Sequence, residues 1–118
     1  MPKLKLAAGL AAAVALLAVA PLAIARDHAA KATSVTVKAS EFKFILSRKS
    51  APHGTVTFKV TNKGHINHDF KIAGKKTPLL KPGKSATLKV TLKKGRYGYL
   101  CTVKGHALAG MKGTFRAT

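Results

Sequence analysis

Three observations predict an all-β fold, an antiparallel sandwich or barrel of short strands. Apolar and polar residues alternate with period two through most of the chain beyond residue 32. Turn signals rich in Gly and Pro separate these runs at intervals of roughly 8–12 residues, the spacing of a small antiparallel β domain. No segment beyond the first 25 residues sustains the 3.6-residue period of a helix.

The N-terminal segment is of another kind. Lys3 and Lys5 form a basic start, Leu6–Ile24 is 19 residues of nearly pure apolar sequence, and Ala23-Ile24-Ala25 has the small-residue pattern of a cleavage site. Residues 1–25 therefore read as a secretory signal peptide. An uncleaved membrane anchor is the alternative, since about 20 apolar residues span a bilayer. Residues 26–32 form a short polar tether, and residues 33–118 form one domain. The expected location is the periplasm or another exported compartment.

Within the domain, Val35, Val37 and Ala39 alternate with Ser34, Thr36 and Lys38. Glu41–Leu46 begins with the same alternation and ends apolar. Val56, Phe58 and Val60 alternate with Thr57, Lys59 and Thr61; Leu88, Val90 and Leu92 alternate with Lys89, Thr91 and Lys93. Ile66, His68, Phe70 and Ile72 share one parity, as do Tyr97, Tyr99 and Cys101, and Phe115 lies in the last strand. Ala51-Pro52-His53-Gly54, Asn62-Lys63-Gly64, Lys81-Pro82-Gly83 and Lys93-Lys94-Gly95 mark turns. A single helical turn is conceivable over Ile72–Leu80, but Gly74 and Pro78 argue against a longer one.

The charge is extreme: 22 Lys and Arg against 3 Asp and Glu, a formal net charge of +19. Without Lys3 and Lys5 the remaining chain is about +17, and its acids are Asp27, Glu41 and Asp69. Such a field draws the protein toward anionic partners. Nucleic acid is not the expected one, because an exported protein seldom meets its genome. Acidic redox proteins are, and anionic membrane surfaces are possible contacts. The competing reading is a general high-pI adaptation, and Lys38, Lys43, Lys59, Lys71, Lys89 and Lys93 on water-facing strand positions are compatible with it.

Cys101 is the sole cysteine, so no internal disulfide can form. A free thiol in an oxidising compartment is a liability unless it is buried or ligates a metal. Cys101, His106 and Met111 follow one another at steps of five. Thiolate, imidazole and thioether on one loop are soft donors that suit copper, and a second imidazole would complete the donor set of a blue-copper electron-transfer site. His28 and His53 lie in the tether and in a turn and read as solvated. His68 has the inward parity of Phe70 and Ile72, while His65, three residues earlier, competes with it. Gly105 and Gly110 each precede a candidate ligand, where a tight loop uses glycine's conformational freedom. Asn67 and Thr102, next to His68 and Cys101, are the candidates for hydrogen bonds that orient the ligands.

The run Tyr97-Gly98-Tyr99-Leu100-Cys101-Thr102-Val103-Lys104-Gly105-His106, continuing through Gly110-Met111-Lys112-Gly113-Thr114, resembles the copper loop of the cupredoxins, the plastocyanin and azurin family. Gly54–Asn62 leading to His68-Asp69-Phe70 resembles the strand and loop that carry that family's first histidine. Lys104 stands where many members have proline. The resemblance implies a Greek-key β-sandwich and one type 1 copper, cycling between Cu(I) and Cu(II), held by His68, Cys101, His106 and axial Met111. It also implies an electron port at the edge of His106, ringed by Ala107, Leu108 and Ala109.

The expected function is a small monomeric carrier that shuttles single electrons between redox proteins. The alternative is a copper-handling module without electron traffic, although such modules often carry several methionines or histidines. An enzyme is not expected: a copper oxidase or nitrite reductase would need a second copper centre and more histidine clusters than these residues provide.

Overall fold

A computed structural model describes residues 32–118. The expected signal segment, residues 1–25, and residues 26–31 of the expected tether lie outside the described residues. Among those described there are nine strands and no helix: β1 (Thr33–Ser40), β2 (Lys43–Leu46), β3 (Ser50–Ala51), β4 (Gly54–Asn62), β5 (Lys71–Ile72), β6 (Lys75–Lys76), β7 (Ser85–Leu92), β8 (Gly95–Leu100) and β9 (Lys112–Ala117). They form two sheets, a four-stranded one in the order β2-β1-β4-β7 and a five-stranded one in the order β3-β9-β8-β5-β6.

The all-β sandwich expected from the alternation is what forms, with one refinement. Both sheets are mixed: β1 pairs with β4 in parallel and β3 with β9 in parallel, while the remaining pairs are antiparallel. Alternation reports which face of a strand is buried, not its direction or its neighbour. Here the chain leaves the first sheet after β2, adds β3 to the second sheet, and returns as β4 running alongside β1.

The alternating residues fill the space between the sheets. Val35, Val37, Val56, Phe58, Val60, Val90 and Leu92 face inward from one sheet, and Ile72, Tyr99, Phe115 and Ala117 from the other. Phe58 stands at the centre, 5.2 Å from Phe70 and 5.3 Å from Phe115 between ring centroids, distances at which tilted or edge-on aromatic contacts are favourable. The six strand lysines on the polar parity are all exposed.

Local departures from the simplest strand reading fall where strands are shortest. Glu41 and Phe42 form a turn, so the alternation before Leu46 belongs to a β1–β2 hairpin. Between Ile72 and Leu80 there is no helical turn. Ala73 (φ 51°) and Gly74 (φ 78°) take left-handed backbone and close the β5–β6 hairpin. A second, smaller apolar cluster of Ala39, Cys101 and Met111 sits at one end of the sandwich, with Phe44 and Val103 packed on it.

Candidate metal centre

Two stretches of chain converge at that end. His68 is tied to Leu80 by a pair of backbone hydrogen bonds, N–H to O at 3.1 and 2.8 Å, which fixes it against the segment between β6 and β7. Cys101 directly follows β8, and its N–H donates to the Met111 carbonyl at 3.1 Å, so the β8–β9 pairing continues one step into the loop. From there Val103–Gly110 runs as successive turns. The N–H of His106 donates to the Val103 carbonyl, and that of Met111 to the His106 carbonyl. Gly105 (φ 86°) and Gly110 (φ 115°) both occupy left-handed backbone, which admits glycine readily and other residues rarely.

The loop brings three donor atoms together. His68 Nδ1 lies 3.1 Å from His106 Nδ1. The Cys101 sulfur lies 3.5 Å from His106 Nδ1 and 4.0 Å from His68 Nδ1. These three side chains form a group able to hold a metal ion, with donor atoms within 4.8 Å of one another. His68 and Cys101 are buried and His106 is 8% exposed. Met111 is fully buried and packs against Cys101 and Ala39. His65, the competitor, is exposed, and so is His53. Lys104 is exposed as well.

The surroundings hold these groups in place. The Asp69 N–H points at the Cys101 sulfur at 3.5 Å. The Asp69 carboxylate accepts the Thr102 N–H at 2.6 Å and also the Thr102 hydroxyl, pinning the residue after the cysteine. Thr102 is thus tied to the candidate site through Asp69. No side-chain hydrogen bond of Asn67 is present among the described residues. The buried amide in this region is Asn62, whose nitrogen donates to the carbonyls of Ile66 and Leu80, both at 2.8 Å, and whose oxygen accepts the Gly64 N–H.

The sequence reading missed Glu41. Its Oε1 lies 2.7 Å from His68 Nε2 and accepts the N–H groups of His65 and Ile66. Its neighbour Phe42 sets its ring edge-on against His106, 5.0 Å between centroids. The His68 bond, ahead of the backbone donors, holds the Glu41 carboxyl below its ordinary value. Burial pushes the Cys101 thiol up and the Tyr99 hydroxyl up. Burial, followed by the nearness of His68, pushes His106 down. The shift favours the neutral imidazole, the form that ligates metals.

The chemistry of this donor set fits copper. Two imidazole nitrogens and one sulfur meet in a buried pocket with a thioether side chain packed against the cysteine, and soft sulfur with imidazole is the combination that selects copper.

Solved structures with the same fold include auracyanin from Roseiflexus castenholzii, at 21% identity and a TM-score of 0.61, covering 76% of this chain and 98% of that one. Rusticyanin from Thiobacillus ferrooxidans matches at 22% identity and a TM-score of 0.65, covering 76% and 79%. Auracyanin A, a blue copper protein from Chloroflexus aurantiacus, matches at 18% identity and a TM-score of 0.62, covering 75% and 100%. No curated protein sequence matches the chain. The family model described as a cupredoxin-like domain matches residues 9–115, most of the chain, so this protein, with its two-sheet fold and candidate type 1 copper site, belongs to the cupredoxin-like family.

Proposed function

We propose that the protein is an exported single-electron carrier with one type 1 copper, held by His68, Cys101 and His106 with Met111 as axial ligand. The observation that carries this reading is the convergence of two Nδ1 atoms and one sulfur in a buried pocket lined by Met111. Bound copper would supply a Cu(I)/Cu(II) couple. The chain's part is to hold the donors still, so that little reorganisation accompanies electron gain or loss, and to exclude water. The protonated Cys101 thiol must release its proton when metal binds.

Residues 1–25 act as the export signal in this reading, residues 26–32 as a tether and residues 33–118 as the working domain. Electrons pass at His106, whose imidazole lies just under the surface between Phe42 (38% exposed) and the loop that carries Leu108 (92% exposed). This small apolar face would seat an acidic redox partner steered by the surrounding lysines.

Voltammetry of the copper-loaded chain tests the proposal. A carrier gives one reversible one-electron wave per chain, with a midpoint potential that does not change with scan rate. Copper that binds but shows no reversible wave would replace the carrier reading with a copper-handling module.

A further inference from the structure

We propose that Glu41 is the positioning residue of the copper site, holding His68 so that its Nδ1 faces the metal and lowering the reduction potential through that imidazole. The inference rests on the copper reading above and extends it to a residue 27 positions from the ligand it serves.

Hydrogen-bond logic comes first. A carboxylate only accepts, so the 2.7 Å contact requires His68 Nε2 to carry the hydrogen. In the neutral ring Nδ1 is then the bare lone pair, and Nδ1 is the atom that faces Cys101 and His106. Glu41 thereby selects the tautomer and blocks a ring flip.

The site is also built for this carboxylate. His65 N–H donates to both of its oxygens, at 3.0 and 3.1 Å, and Ile66 N–H to one at 3.3 Å. Gly64 supplies the room: a Cβ there would stand 2.1 Å from Oε1 and 2.9 Å from the carboxyl carbon. Gly64 does not take left-handed backbone, so the demand for glycine at this position is one of space.

Charge makes the placement more telling. Residues 32–118 contain 18 Lys and Arg, yet Glu41 pairs with none of them, and the His68–Glu41 contact is the one ion-pair geometry among the described residues. A carboxylate at the far nitrogen of a ligating imidazole raises its basicity. A stronger donor favours the more highly charged Cu(II), so the potential falls.

The test compares the wild-type chain with Glu41→Ala, Glu41→Gln and Gly64→Ala. Three readouts are taken: the His68 tautomer in the apoprotein by ¹⁵N NMR, the reduction potential, and copper affinity against a chelator. Glu41→Ala should give a mixed tautomer, a raised potential and copper affinity, read by competition with the chelator, weaker by about 10- to 100-fold. Gly64→Ala, which keeps the acid but expels it from its seat, should do the same. Glu41→Gln keeps an acceptor without the charge, so its tautomer should stay while the potential rises by less.

An unchanged tautomer in both Glu41→Ala and Gly64→Ala would overturn the positioning role. An unchanged potential in copper-loaded Glu41→Ala would overturn the tuning role. Failure of the wild-type chain to bind copper would overturn the copper reading instead, and the apoprotein tautomers would still report on Glu41.

Discussion

His68 and His106 offer their Nδ1 atoms to the point that the Cys101 sulfur also faces, and the other contacts of each residue decide what it contributes. The Met111 side chain makes no hydrogen bond among the described residues and is buried against Cys101. Met111→Gln should therefore keep copper and colour while shifting the potential, because an axial ligand tunes the site without being its main hold. Loss of copper in that variant, measured by metal content after dialysis, would contradict an axial role.

The same residues set the pH range of the apoprotein. His106 lies below its ordinary 6.5, so as pH falls below 6.5 the unfolded chain takes up a proton that the folded chain refuses, and stability drops. Glu41, held below 4.5, stabilises the fold above 4.5 and loses that contribution as pH falls through its lower folded value. Cys101 lies above 9.0, so above that pH the unfolded chain loses a proton that the folded chain keeps, and stability drops again. The urea midpoint of the apoprotein should be highest between about 6.5 and 9 and fall on both sides; a midpoint that rises steadily toward pH 5 would contradict these assignments.

At the level of the strands and loops, the close approach of β8 and β9 sets a packing constraint. Tyr99 lies opposite Gly113, and a Cβ on Gly113 would stand 2.3 Å from the Tyr99 hydroxyl oxygen. Gly113→Ala should destabilise the domain by about 1–3 kcal/mol through overpacking. Phe58→Ala, which empties the middle of the aromatic core, should cost about 3–5 kcal/mol. Urea denaturation of the apoprotein at pH 7 measures both, and a neutral Gly113→Ala would mean that the Tyr99 ring is free to move aside.

Much of this was legible in the sequence because the relevant signals are local. Alternation placed Val35, Val37, Val56, Phe58 and Val60 inward, and the five-residue steps from Cys101 to Met111 put three of the four candidate ligands on one loop. What could not be read depends on pairings between distant segments. The parallel β1–β4 pair follows from the chain's excursion through β3, a two-residue strand too short to leave a pattern. Glu41 looked like a polar residue in an alternating run, and only the β1–β2 turn delivers it to His68. Asp69 entered the sequence reading only as one of three acids and a neighbour of His68, yet it is buried and holds Thr102.

Taken as a whole, the molecule spends both described acids on the candidate site. Glu41 bonds His68 and Asp69 bonds Thr102, and among the described residues none of the 18 Lys and Arg of residues 32–118 is ion-paired with a side-chain carboxylate. Arg96 and Arg116 even stand opposite each other across β8 and β9, a like-charge pairing that gains from a bound anion or an acidic surface. Electron exchange with an acidic redox protein should therefore slow steeply as salt rises, since the Debye length shrinks to about 8 Å at physiological ionic strength. A rate independent of salt would remove electrostatic steering from the account.

The most direct measurement of the central claim is the optical and EPR spectrum of the copper-loaded chain beside that of Cys101→Ser. The account predicts one copper per chain and an intense visible band from thiolate-to-copper charge transfer in the wild type, with the band absent in Cys101→Ser. A colourless Cu(II)-loaded wild-type protein, or a band that survives the loss of Cys101, would contradict it.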